Sequence, residues 1–150
     1  NILIGSRRPY VIIRPNTLYS FKGNNFFTWV YNSLSTNTEI NVVEDQVSNP
    51  SFVPSLASSI HDMILMNGEG LYHHGSKDNI SRYNFAIEIS KKFNLNHDLI
   101  KKIDSKTLNQ VAERPLFSIL DCKKIENDFN MKMSYVDECL DNIYRNIHNA

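Results

Sequence analysis

Apolar residues recur along this chain with two different periods. Short runs rich in β-branched and aromatic residues predict strands: Tyr10-Val11-Ile12-Ile13-Arg14 closed by Pro15, Ile40-Asn41-Val42-Val43, and Leu71-Tyr72-His73-His74 between Gly70 and Gly75. Between them the period lengthens to that of a helix. Phe27, Val30, Tyr31 and Leu34 keep i, i+3, i+4, i+7 spacing, and Leu56, Ile60, Met63 and Ile64 keep i, i+4, i+7, i+8, with Gly68 placed as a C-terminal stop. Ser81 stands where an N-cap belongs, ahead of a helix reaching about Phe93 that aligns Phe85, Ile89 and Phe93. Near the end, Ser134 and Asp137 form a capping pair for a stripe of Val136, Cys139, Leu140, Ile143, Tyr144 and Ile147. The alternation predicts an α/β architecture with a largely parallel sheet, three buried strands, and helical stripes that pack as core. With no internal repeat, charge block or linker, residues 1–150 read as one domain or a piece of one.

Composition narrows the partners. A chain of 150 residues with 41% hydrophobic content has enough apolar material for a real core. Its 16 basic and 16 acidic residues cancel, which removes the broad attraction that nucleic-acid and anionic-membrane binders show. No nucleic acid and no membrane are therefore expected as partners. Apolar runs fall short of the roughly 20 residues that span a bilayer, and the opening NILIGSRRPYVIIRP is broken by Arg7, Arg8 and Pro9, unlike a signal peptide. A cytoplasmic protein is the expectation. Cys122 and Cys139 have no C-x-x-C spacing and read as reduced packing thiols, and no metal site is expected. Asn79-Ile80-Ser81 matches a glycosylation triplet of the kind that arises by chance. The first residue, Asn1, is not methionine, which points to a fragment of a longer protein.

The familiar catalytic signatures are missing. Gly68-x-Gly70 begins like a dinucleotide fingerprint, but the third glycine position is His73 and the glycines precede a strand, so they read as turn residues. There is no phosphate loop, nucleophile elbow or H-E-x-x-H helix. His73 and His74 are adjacent in a strand and point to opposite faces, which favours packing over a shared catalytic role. Asp45-Gln46 closes a strand, where ligands of open α/β sheets gather; a carboxylate and an amide there could meet sugar hydroxyls or merely cap a turn. Arg114-Pro115 offers a guanidinium fork suited to phosphate, ahead of Phe117-Ser118-Ile119-Leu120.

Six segments in order carry a family resemblance. They are Ile12-Ile13-Arg14-Pro15-Asn16-Thr17-Leu18-Tyr19, Lys22-Gly23-Asn24-Asn25-Phe26, Val42-Val43-Glu44-Asp45-Gln46 with Asn49-Pro50-Ser51, Gly70-Leu71-Tyr72-His73, Ser81-Arg82-Tyr83-x-Phe85-Ala86, and Arg114-Pro115-x-x-Ser118-x-Leu120. Together they resemble the dTDP-4-dehydrorhamnose reductase family within the extended short-chain dehydrogenases/reductases, weakening after about Phe129. The resemblance implies the C-terminal part of a Rossmann-like fold, parallel strands alternating with helices plus a small substrate-binding subdomain. It implies that Pro15, Asn16 and Thr17 line the cofactor, NADPH or NADH. It further implies that Leu18, Tyr19, Asn25, Asp45, Gln46 and Arg114 bind a nucleotide-sugar substrate, with Asn25 at a helix start that favours anions and Arg114 at the diphosphate. A homodimer is the implied assembly.

Two departures accompany it. Where close reductases carry R-T-S-W-V-Y, this chain has Arg14-Pro15-Asn16-Thr17-Leu18-Tyr19, so Leu18 replaces an aromatic near the sugar. No Tyr-x-x-x-Lys occurs; Tyr10 to Arg14 comes nearest, and arginine, with a pKa above about 12, cannot serve as the tunable lysine. By the resemblance, that pair and the glycine-rich cofactor turn belong upstream of Asn1, so no catalytic residue is expected in this chain. The implied reaction is reduction of the 4-keto group of a dTDP-4-dehydro-6-deoxysugar. The alternatives are a nucleotide-sugar epimerase or dehydratase, or a non-catalytic relative resembling the regulatory subunit of methionine adenosyltransferase.

Overall fold

Asparagines mark where helices stop. The computed structural model describes residue 5, residues 8–108 and residues 112–148. In it Asn37, Asn67, Asn94 and Asn130 adopt left-handed backbone conformations with φ of 52°, 51°, 52° and 49°. Asparagine tolerates this region better than other non-glycine residues, so it ends a helix cleanly. The four helices so ended are α1 (Phe26–Ser35), α2 (Val53–Leu65), α3 (Arg82–Lys92) and α4 (Lys123–Phe129); α5 (Val136–His148) follows. Asn67, rather than Gly68, takes the left-handed turn after α2. The Gly68 N–H closes that turn by donating to the Met63 carbonyl at 2.8 Å. Gly68 is small for another reason: a Cβ there would come within 2.7 Å of the Phe129 ring.

Helix starts use different devices. Ser81 caps α3 as expected, its hydroxyl accepting from the Asn84 N–H at 3.1 Å. The Ser134 and Asp137 pair expected for α5 is replaced by a long-range cap. Asp78 Oδ1 accepts from the Val136 N–H at 3.0 Å, and Glu138 Oε2 accepts from the Tyr135 N–H at 2.9 Å.

The strands are β1 (Val11–Pro15), β2 (Leu18–Tyr19), β3 (Ile40–Val43), β4 (Val47–Ser48), β5 (Ser51–Phe52), β6 (Gly70–His74), β7 (Ile80–Ser81), β8 (Ile100–Ile103) and β9 (Phe117–Ser118). Pairings β1–β6, β2–β5, β3–β8 and β4–β9 are parallel, and β4–β7 is antiparallel. The expected α/β alternation with parallel pairing therefore holds. Three buried strands do not: β3 is buried at three of its four positions, but in β1 Val11 is 38% exposed and Arg14 and Pro15 face outward. Among the described residues β1 is bonded to β6 alone, so its second edge has no strand to cover it.

Two apolar clusters organise the packing. The larger joins Phe27, Val30 and Leu34 of α1 with Phe85, Ala86 and Ile89 of α3 and Leu140 and Ile143 of α5, over Ile40 and Val42 of β3. The smaller packs Met63 of α2 and Tyr72 of β6 against Ile125 and Phe129 of α4. Cys122 and Cys139 are free, buried thiols, as expected for packing residues. His74 is buried and its neighbour His73 is only partly so, which fits opposite faces. No described helix is long and apolar enough to cross a membrane. Residues 1–4, 6 and 7, part of the opening segment weighed as a leader, lie outside the described residues.

Candidate functional site

Polar side chains converge just past the carboxyl ends of β1 and β3. There a cavity of about 210 Å³ is lined by Asn16 and Thr17 after β1, by Gln46, Val47 and Ser48 after β3, and by Arg82 at the start of α3. Arg114, Pro115 and Ser118 close it from the late loop. This is the position in which open α/β sheets hold ligands. A wider groove of about 490 Å³ between α2 and the residues after α4 is lined by Ser55, Ser58, Asp62 and Met66, with Lys132 as its one cation. It lies away from the strand ends and has no comparable concentration of positive charge.

The cavity's chief charges are Arg82 and Arg114. Burial, and then the neighbouring Arg114 charge, draw Arg82 below the ordinary guanidinium value. Like charges held together cost free energy unless an anion lies between them. Among the described residues neither guanidinium forms an ion pair. An aromatic shelf holds Arg82: its guanidinium carbon sits 5.5 Å from the Phe26 ring centroid, and Phe26 stacks on Phe85 at 5.5 Å and meets Trp29 at 5.7 Å. The main chain adds a further tie, since the Arg82 N–H donates to the Gln46 carbonyl at 3.1 Å. Backbone and ring together aim a rotamer-rich side chain, which lowers the entropy lost when it binds.

The late loop is tied down by asparagines. Asn49, 3% exposed, accepts at Oδ1 from the Leu120 N–H and from Asn16 Nδ2, both at 2.9 Å, and donates from Nδ2 to the Leu120 carbonyl at 2.9 Å. Asn16 Nδ2 also donates to the Ser118 carbonyl. Its Oδ1 accepts from the Thr17 N–H at 2.8 Å, and its own N–H donates to the His74 carbonyl at 3.1 Å and to Ser51 Oγ at 3.0 Å. The Val47 N–H completes the attachment by donating to the Leu116 carbonyl at 2.7 Å.

Of the residues expected at the site, Asn16, Thr17, Gln46 and Arg114 come together around the cavity. Pro15, at the end of β1, is exposed beside them. The others do not join them. Tyr19 is core: 1% exposed, it packs between Phe52 at 5.4 Å and Phe85 at 4.9 Å, and burial then the nearby Cys139 thiol raise its pKa. That enclosure places the Tyr19 ring in the core, away from the cavity lining. Asn25 is a helix cap. Its Oδ1 accepts from the Thr28 N–H at 3.3 Å and its Nδ2 donates to the Ser20 and Lys22 carbonyls at 3.0 Å, so its amide is already spent. Asp45 turns away to accept from the Ser105 hydroxyl at 2.6 Å, a bond that holds its carboxyl below the usual range. Leu18 is 44% exposed and lies outside the cavity lining. Arg82 was not anticipated; its place directly after the N-cap Ser81, at a helix N-terminus, is the signal that could have found it.

Comparison with known proteins decides the family. The profile described as RmlD substrate binding domain matches residues 3–148. This chain belongs to that family. A dTDP-4-dehydrorhamnose reductase of Aggregatibacter actinomycetemcomitans is 30% identical over an alignment of 145 residues that covers 89% of this chain and 49% of the relative. In the solved dTDP-4-dehydrorhamnose reductase of Bacillus anthracis, in complex with NADP, the match is 26% identical with a TM-score of 0.86, covering 91% of this chain and 48% of the other. The Clostridium acetobutylicum orthologue matches at 26% identity and a TM-score of 0.83, covering 93% and 49%. The RmlD substrate-binding chain thus spans about half the length of the relatives it matches. Its fold is a mixed α/β arrangement of parallel strands alternating with helices that matches Rossmann-like extended short-chain dehydrogenase/reductase structures.

Proposed function

We propose that the intact protein is an NAD(P)H-dependent nucleotide-sugar reductase of the dTDP-4-dehydrorhamnose reductase type, and that residues 1–150 are its substrate-binding segment. The observation that carries this reading is the pair of arginines, Arg82 and Arg114, lining one cavity with no carboxylate partner among the described residues. A nucleotide diphosphate brings the negative charge that such a pair lacks. Two guanidinium forks can each meet phosphate oxygens through bidentate, charge-assisted hydrogen bonds.

Gln46, Ser48 and Ser118 add neutral polar groups around that cavity, suited to the oxygens that flank a diphosphate. Anchoring the diphosphate fixes where the sugar lies, and such positioning lowers the barrier for a group held at near-attack distance. A bound nicotinamide supplies the hydride for the sugar carbonyl. For that cofactor this chain offers the exposed ring of Pro15 and the Thr17 side chain at the end of β1. Asn16, whose polar atoms are engaged within the protein, acts there as a support and not as a donor.

The test is a reductase assay on the intact protein with a dTDP-4-dehydro-6-deoxysugar and labelled NADPH. The expected result is transfer of label to the sugar, with KM raised about tenfold or more by Arg82→Ala and by Arg114→Ala. Product without label, from epimerisation or dehydration, would overturn the reductase reading. Unchanged KM in both variants would overturn the arginine assignment.

A further inference from the structure

Arg114 lies on a stretch of chain that is exposed from residue 112 through residue 119, yet an anion-binding arginine must be held still. The contacts that hold this stretch converge on one buried amide. Asn49 bonds the Leu120 backbone in both directions, as a neighbouring strand would, extending the attachment that β9 makes to β4. Its Oδ1 also orients Asn16, whose amide reaches on to the Ser118 carbonyl. From the opposite side Asn49 Nδ2 donates to the Ser76 carbonyl at 3.4 Å, just past β6. Gly75 locks the arrangement, since a Cβ there would stand 2.5 Å from Asn49 Nδ2 and 2.6 Å from its carbonyl oxygen.

We infer that Asn49 is a positioning residue for substrate binding: it sets the register of the late loop so that Arg114 faces Arg82 across the cavity. The inference rests on the reading of that cavity as a diphosphate seat. Asn49 lies outside the cavity lining itself and acts through Asn16 and the 118–120 backbone. Shape alone does not explain an amide here. Only a side chain with both an acceptor and a donor can bond the N–H and the carbonyl of Leu120 together. Aspartate keeps the acceptor and loses the donor; alanine loses both.

Three measurements on the intact protein separate the possibilities: amide hydrogen exchange, calorimetric titration with dTDP, and titration with thymidine, which has no phosphate. For Asn49→Ala, exchange is expected to quicken at residues 116–120 while the α3 and α5 amides stay protected. Affinity for dTDP is expected to fall about tenfold, while affinity for thymidine is unchanged. The double variant with Arg114→Ala should bind dTDP no more weakly than Arg114→Ala alone, because Asn49 acts through that arginine. Asn49→Asp should fall between wild type and Asn49→Ala. Faster exchange at 116–120 with unchanged dTDP affinity would overturn the positioning role and leave the diphosphate reading standing. Losses that add in the double variant would likewise overturn it. Wild-type dTDP affinity that neither arginine variant weakens would overturn the diphosphate reading, and the inference with it.

Discussion

Two helices of this protein carry apolar stripes that look alike in the sequence and fare differently in the fold. In α5, Val136, Cys139, Leu140 and Ile143 are within the core, with Ile143 fully enclosed, while Tyr144 of the same stripe is 40% exposed. In α2, the same kind of spacing leads to a different outcome: Met63 is buried, Ile60 is 38% exposed and Ile64 is 68% exposed. Ser59, a polar residue, is buried in their place, and Leu65 and Met66 extend the exposed apolar surface. Periodicity identifies a face; what covers it depends on elements distant in sequence. The α5 face has α3 and α1 beside it, whereas α2 packs through Met63 against Tyr72 of the β1–β6 pair, whose outer edge no strand among the described residues covers. The relatives are about twice as long as the stretch they share with this chain.

Substitutions can sharpen or break that contrast. The largest effect is expected from Ile143→Ala, which opens a cavity in the main cluster and should cost about 2–5 kcal/mol in denaturant unfolding. A loss below about 1 kcal/mol would mean that α5 is not core. Acid probes the second region. Burial pushes the His74 imidazole down to about 4, and neither of its ring nitrogens has a hydrogen-bond partner among the described residues. Because the folded value lies below the ordinary 6.5, the unfolded chain binds the extra proton first. Stability is therefore full above pH about 6.5 and falls as the pH drops toward about 4, by about 2 kcal/mol between pH 7 and 5. His74→Phe should flatten this slope; a slope unchanged by the substitution would refute the assignment. The smallest effect belongs to Ile64→Ser. In this chain alone it should change stability by no more than about 0.5 kcal/mol. A loss comparable to that of Ile143→Ala would erase the contrast between the two helices.

Locally encoded features were the legible ones. Ser81 as an N-cap, three of the four longer strands (β1, β3 and β6), and the α1, α3 and α5 stripes all depend on neighbours within a few residues. Strand β8 escaped notice because Lys101 and Lys102 interrupt its apolar ends; it is held by its register with β3 across some sixty residues of chain. The site divides in the same way. Asn16, Thr17, Gln46 and Arg114 were expected and line the cavity, because strand ends and a late arginine are recognisable positions. Tyr19 and Asn25 also lie in recognisable segments, yet one fills the core and the other caps α1. A motif locates a stretch of chain; which way each side chain turns is settled by packing. Asn49 matters through Leu120, far away in sequence, and such a pairing leaves no local trace, whereas Arg82 carries only the local signal of a helix N-terminus.

The central claim is that Arg82 and Arg114 form one seat for a nucleotide diphosphate. Calorimetric titration of the intact protein with dTDP at low and high salt, for wild type and for the Arg82→Ala, Arg114→Ala and double variants, tests it most directly. The account predicts binding that weakens with salt, falls about tenfold or more in each single variant, and loses less in the double variant than the two single losses combined. Binding of dTDP that is indifferent to salt and to both arginines would contradict it.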